Sequence, residues 1–132
     1  MVIVIPQIVN TYRLRNGIHK MEVRKEVIND QLVVIHIEGS LLADNEGKQL
    51  LDLCEQVIQE GKKQLILDLS GMKHVNSSGL GVFIRMLTRT RTLGGDVVLT
   101  GVNEGVSNLF TITKLHTIFR FAPTVAAAKE LF

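Results

Sequence analysis

The residues of this chain best suited to chemistry lie at positions 76–81, Asn76-Ser77-Ser78-Gly79-Leu80-Gly81. They follow Leu65 to Leu69, an apolar run that reads as a buried strand, and they lead into a helical pattern. A hydroxyl at such a junction sits at the positive end of a helix dipole, beside backbone N–H groups without intrahelical partners. A site of that kind can hold a phosphate, either bound or covalently attached. Serine there also has a plainer use as an N-cap, which stabilises a helix by about 1 kcal/mol. Gly79 and Gly81 shift the balance, because each glycine inside a helix costs up to about 1 kcal/mol relative to alanine. Two of them in the first turns keep the surface open for a close approach by another backbone, a phosphate or a protein partner.

Other chemistries fit less well. The run lacks the first glycine of a Gly-x-Ser-x-Gly nucleophile elbow. His74 stands three residues before Ser77, but no acid completes a triad. Gly79-x-Gly81 is not a dinucleotide fingerprint, and no Gly-Lys-Ser/Thr run marks a P-loop. Cys54 is the one cysteine, and with His19, His36, His74 and His116 scattered, no metal-ligand spacing emerges. Cys54 falls on the apolar face of an expected helix and reads as a small buried hydrophobe in a reducing compartment. No catalytic residue, metal or cofactor is expected.

The elements that must position this stretch can be read from periodicity. Glu22 to Ile28 and Leu32 to Ile37 look like two strands around Asn29-Asp30. Glu46 to Glu60 carries Leu50, Cys54, Val57 and Ile58 on one helical face, and Gly61 stops it as a C′ residue. Gln64 to Leu69 is the next strand, followed by a short loop. A helix over Ser78 to Thr92 buries Leu80, Phe83, Ile84 and Leu87, and other apolar residues exposed on it would suit a docking partner. Gly94-Gly95 turns the chain into the strand Asp96 to Thr100. A helix over Glu104 to Thr113, a strand over Ile118 to Phe121 and a final helix from the N-cap Thr124 to Leu131 complete the order. Strand and helix alternate, so right-handed crossovers should build an α/β domain, and the first hairpin adds an antiparallel edge. The expected architecture is a mixed sheet of four to five strands with about four helices.

Composition bounds the partners. At 132 residues the chain suits one domain, with 45% hydrophobic and 21% charged residues. Residues 1–20 stand apart, an apolar start followed by the basic stretch Asn10 to Lys20: either Met21 is an alternative start, or the first segment is an extension adding a strand and a linker. The compact domain then runs from Met21 to Phe132. A formal charge of +2 and an aromatic content of 5% argue against nucleic acid, despite Arg85, Arg89 and Arg91. The run Met1 to Ile5 is too short to span a membrane and lacks the flanks of a signal peptide, so a cytoplasmic location is expected. A monomer or weak dimer is expected, the apolar first segment offering a pairing edge.

In these residues the chain resembles STAS domains, specifically bacterial anti-sigma-factor antagonists. The resemblance rests on Leu67-Asp68-Leu69-Ser70, on Val75-Asn76-Ser77-Ser78-Gly79-Leu80-Gly81 and on Gly94-Gly95-Asp96-Val97-Val98-Leu99, with further matches at Val106 to Phe110 and Ile118-Phe119. It covers roughly Met21 to Phe132. It implies that Ser77 is the acceptor of a phosphate from a partner that is both anti-sigma factor and serine kinase. Asn76, Ser78, Gly79, Leu80 and Gly81 would form the surrounding docking loop, and a phosphatase would reset the switch. Two departures stand out. Asn76 replaces the family's usual Asp, and Gly39-Ser40-Leu41-Leu42 replaces an acidic Gly-Glu-Leu-Asp run, with Asp44 able to stand in only if the loop shifts. Lys114 also replaces a glycine common after the third helix. Two other roles are open to such a domain: a subunit of a membrane assembly such as a lipid-exporting ABC system, or a sensor whose Ser77 loop binds a nucleotide or other anion.

Overall fold

The computed structural model describes the backbone of residues 7–16, 19–42 and 44–132, and the side chains of residues 21–42 and 45–132. Six strands lie in one sheet in sequence order: β1 (Gln7–Asn16), β2 (His19–Val27), β3 (Leu32–Leu41), β4 (Gln64–Val75), β5 (Asp96–Thr100) and β6 (Arg120–Ala122). The first three pair antiparallel and the last four parallel. The sheet is mixed, as the alternation implied. Strands β2 to β6 fall within the expected four to five, and β1, from residues 7–16, adds a sixth at the edge.

The helices α1 (Asp44–Gln59), α2 (Ser77–Thr92) and α3 (Glu104–Ile112) are the crossovers between parallel strands. Because the strand order runs in one direction, right-handed crossovers place all three on the same face. The burial pattern agrees. Val33, Ile35 and Ile37 of β3, with Leu65, Leu67 and Leu69 of β4, pack into one core with Leu50, Val57, Phe83 and Phe110. Alternate residues Leu32, Val34, Ile66 and Val98 point to the opposite face, where Ala128 of the short helix α4 (Val125–Lys129) covers them. Thr124 caps α4 as expected, its hydroxyl accepting from Ala127 N at 3.1 Å.

Beyond the reach of α4, that second face is polar. His36 sits between two carboxylates there, 2.6 Å from Asp68 Oδ2 and 2.9 Å from Glu26 Oε1. Burial acts to raise the Asp68 carboxyl, but hydrogen bonds from His36 and from Ser70 outweigh it and hold the group below its usual range. Cys54 is buried in the α1 core, and that burial pushes its thiol up to about 11. An inert packing residue is what such a thiol amounts to.

Several bounds differ from the sequence expectation, and β3 runs on past Ile37 to Leu41. The short loop expected after Leu69 is strand: β4 continues to Val75 and pairs with β3 through two register shifts, so that Gly71 faces Glu38 and Val75 faces Leu41. The bulges interrupt the alternation by which a strand is recognised. The last strand begins at Arg120, after a 3₁₀ turn over Leu115–Thr117.

Lys114 opens that turn with φ at 63°, the left-handed region, and is the one non-glycine residue there among those described. A glycine, which the resemblance leads one to expect here, adopts this conformation without strain. A side chain in this conformation costs roughly 1–2 kcal/mol, partly offset by its smaller loss of freedom on folding. Lys114→Gly should therefore raise stability by about 0.5–1 kcal/mol, read as a higher midpoint in urea unfolding with an unchanged slope.

Candidate functional site

The site is built where β3 and β4 end and α1 and α2 begin. Strand β4 delivers the chain to Asn76, whose extended backbone starts α2. Asn76, not Ser77, is the N-cap: its Oδ1 accepts from Gly79 N at 2.9 Å. Its Nδ2 donates to the carbonyl of Leu42 at 3.0 Å, tying the start of α2 to the end of β3. Both ends of the Asn76 amide are thus committed. The plain reading of Ser77 as the cap does not hold, because its neighbour performs that task.

Ser77 is the first residue of α2 and is exposed, and among the described residues no side-chain hydrogen bond engages its hydroxyl. No acidic residue lies in the first turn. Ser78 is exposed beside it. Gly79 is buried, and a methyl group there would lie 2.5 Å from Val75 Cγ2 and 2.7 Å from the Leu41 carbonyl, so its lack of bulk serves the packing of α2 on the strand ends. Leu80 points into the core. Gly81 is different, since an added methyl would meet nothing within 4 Å. Asp44 begins α1 two residues beyond the Leu42 carbonyl, but its side chain lies outside the described residues. His74 is exposed on β4 and makes no contact that would activate Ser77.

The exposed face of α2 corrects another expectation. Its large apolar residues Leu80, Val82, Phe83, Met86 and Leu87 are all buried, and Ile84 is half-buried. What α2 offers to solvent is Ser77, Ser78, Arg85, Thr88, Arg89, Arg91 and Thr92. Between α1 and α2 opens a cleft of about 460 Å³, lined by Lys48 and Leu51 on one side and by Ser78, Gly81, Val82 and Arg85 on the other. Sequence reasoning missed Lys48 and its pairing with Arg85, because 37 residues separate them and neither stands in a motif. Among the described residues no cluster of His, Cys, Asp or Glu could hold a metal, and no helix is long and apolar enough to cross a membrane.

The dual role of Asn76 yields a testable expectation. Asn76→Asp would keep the cap, because Asp caps as well as Asn. It would lose the donor to Leu42 and set a carboxylate oxygen against a carbonyl. Stability should fall by about 1 kcal/mol at neutral pH, the size of one hydrogen bond, measurable by urea unfolding.

Comparison with known proteins bears on the fold that carries this site. A candidate anti-sigma factor antagonist of Bordetella bronchiseptica, BtrV, is 26% identical over 103 residues, spanning 78% of this chain and 88% of BtrV. The anti-sigma factor antagonist SpoIIAA in its unphosphorylated form superposes with a TM-score of 0.71 at 18% identity, over 83% of this chain and 95% of that one. The phosphorylated form of the Bacillus protein superposes at 0.66 with 18% identity, over 83% of this chain and 99% of that one. At that identity the likeness speaks for the fold alone. The STAS domain model matches residues 21–128, the span that holds most of β2, all of β3 to β6, helices α1 to α3, most of α4 and the Asn76 to Gly81 junction, and the chain belongs to the STAS domain family.

Proposed function

We propose that this chain is an anti-sigma-factor antagonist that binds a kinase-type anti-sigma factor and is switched off when that partner phosphorylates Ser77. The observation that carries the reading is the division of labour at the start of α2. Asn76 caps the helix, which leaves the Ser77 hydroxyl exposed and unengaged at its positive end. A phosphate there adds about −1.5 to −2 charges at a helix start whose first turn holds no acid, so the folded state accepts the modification. A partner packed over the same spot does not accept it, because it would have to desolvate the charge. The chain is then the substrate of an enzyme and not itself one, and a phosphatase restores the binding form. The relatives named as anti-sigma factor antagonists, and the existence of SpoIIAA in both forms, support this assignment.

The test is incubation of the full chain with ATP and the kinase-type regulators encoded in the same genome, followed by mass spectrometry of the peptide spanning residues 73–85. Phosphate localised to Ser77, and lost in Ser77→Ala, is the expected result. Phosphate confined to Ser78 or to another segment would overturn the assignment of the acceptor.

A further inference from the structure

The cations around α2 fall into two groups. Arg89 pairs with Glu55 at 2.8 Å, Arg91 with Asp96 at 3.0 Å, and Arg120 with Asp96 at 3.4 Å. Across the sheet, Lys25 reaches Glu60 at 3.5 Å. Lys48 and Arg85, like Lys73, are exposed and have no ion-pair partner among the described residues, and these two line the cleft between α1 and α2. Among the described residues no acidic side chain lines that cleft, and the one other polar side chain lining it is Ser78, one residue from the proposed phosphoacceptor.

Gly81 points the same way. The fold requires Gly47 and Gly79, since a methyl group on Gly47 would lie 2.8 Å from Val82 Cγ2 and one on Gly79 would strike Val75 and Leu41. It does not require Gly81, which lines the cleft with open space where its side chain would be. Glycine in mid-helix is disfavoured relative to alanine, so the room it leaves is not explained by packing within the chain.

We infer that the α1–α2 cleft receives an acidic side chain of the protein partner, held by Lys48 and Arg85 and admitted by the absence of a side chain at Gly81. This rests on the reading of the chain as a regulator-binding protein and adds the chemistry of the surface it recognises. The carboxylate neutralises two cations that have no ion-pair partner among the described residues, and complementary charge steers the encounter as well as fixing the register. It also gives the switch a second arm. A phosphoryl group on Ser77 brings a competing anion to the mouth of the cleft, so modification both repels the partner's carboxylate and occupies the cations that attract it.

The experiment measures binding of the full chain to its kinase-type regulator by surface plasmon resonance between low and physiological salt. The proteins compared are wild type, Lys48→Glu/Arg85→Glu, Gly81→Leu, Ser77→Asp and the distant control Lys129→Glu. The double reversal should weaken binding roughly tenfold or more, mainly through a slower on-rate at low salt, and flatten the salt dependence. Gly81→Leu should weaken binding without lowering the melting temperature, and Lys129→Glu should change neither. If the double reversal and Gly81→Leu bind as wild type while Ser77→Asp still weakens the complex, the acidic-contact inference is overturned and the phosphoswitch reading stands. If wild type binds no such regulator, both fall.

Discussion

Gly95→Ala should destabilise the fold by about 3 kcal/mol, the largest effect expected from adding a single methyl group to this chain. A Cβ at Gly95 would lie 1.8 Å from the carbonyl oxygen of Lys63 and 2.7 Å from its carbon. That carbonyl cannot easily retreat, because it accepts the Asp96 N–H at 3.0 Å and so opens the register in which Gln64 faces Asp96. Gly95 is pinned from its own side too, its N–H donating to Thr90 O at 3.0 Å at the end of α2. Relief of the overlap must therefore separate α2 from β5 or part the start of the β4–β5 pair. Overpacking costs typically about 1–3 kcal/mol, and a clash with held backbone belongs at the top of that range. The neighbouring Gly94 supplies the contrast. Its φ is 86° and nothing lies within 4 Å of an added methyl, so Gly94→Ala should cost only the left-handed penalty, about 1 kcal/mol. Urea unfolding should show a midpoint shift about three times larger for Gly95→Ala than for Gly94→Ala, and the melting temperature of the former should fall by about 10 °C. Equal shifts would mean that turn conformation, not the Lys63 contact, sets both costs.

Gly94-Gly95 also illustrates how much can be read before the fold is seen. The pair marks a turn in any sequence, yet which glycine needs its dihedral freedom and which needs its missing side chain depends on where Lys63 lies, 32 residues earlier. The alternation of strands and helices was legible because each core face repeats locally: Leu50, Cys54 and Val57 on α1, and Leu80, Phe83 and Leu87 on α2. The stretch from Ser70 to Val75 was not legible as strand. Its bulges against β3 place Gly71, Lys73 and His74 out of period, and only pairing with Glu38 to Leu41 makes it a strand. The cap was ambiguous for a different reason. Asn and Ser are equally good N-caps, so neither residue type at 76 nor 77 decides between them; the Leu42 carbonyl, offered by the end of β3, does. Ser77 stood out from its neighbours alone, whereas the Lys48–Arg85 cleft needs two helices packed side by side. Local pattern reveals what a residue does to its own helix, and tertiary packing reveals what that frees it to do.

Ser77→Asp should leave the fold as stable as the wild type, or more stable by a few tenths of a kcal/mol, while weakening the regulator complex roughly a hundredfold. The first half follows from position. Residue 77 is the first of α2, no other acid stands in that turn, and Asn76 keeps the cap, so an exposed carboxylate gains about 0.3–1 kcal/mol from the helix N-terminus. The second half follows from burial. Covering that carboxylate with a partner surface that brings an acid and no cation to it costs about 2–5 kcal/mol, and about 3 corresponds to a hundredfold at 1.4 kcal/mol per decade. Charge must be separated from size, which Ser77→Asn does: it matches Asp in volume and adds no charge. Ser77→Asn and Ser77→Ala should both bind within a few-fold of wild type, because no hydrogen bond of the Ser77 hydroxyl is lost among the described residues. Calorimetric titration of the regulator with each variant, alongside their melting curves, checks both halves together. Were Ser77→Asn to bind as poorly as Ser77→Asp, bulk and not charge would govern the switch, and a phosphate would act by filling space at the start of α2. Were Ser77→Asp to melt well below wild type, the helix start would not tolerate the charge, and modification would act by loosening the fold instead of by repelling the partner.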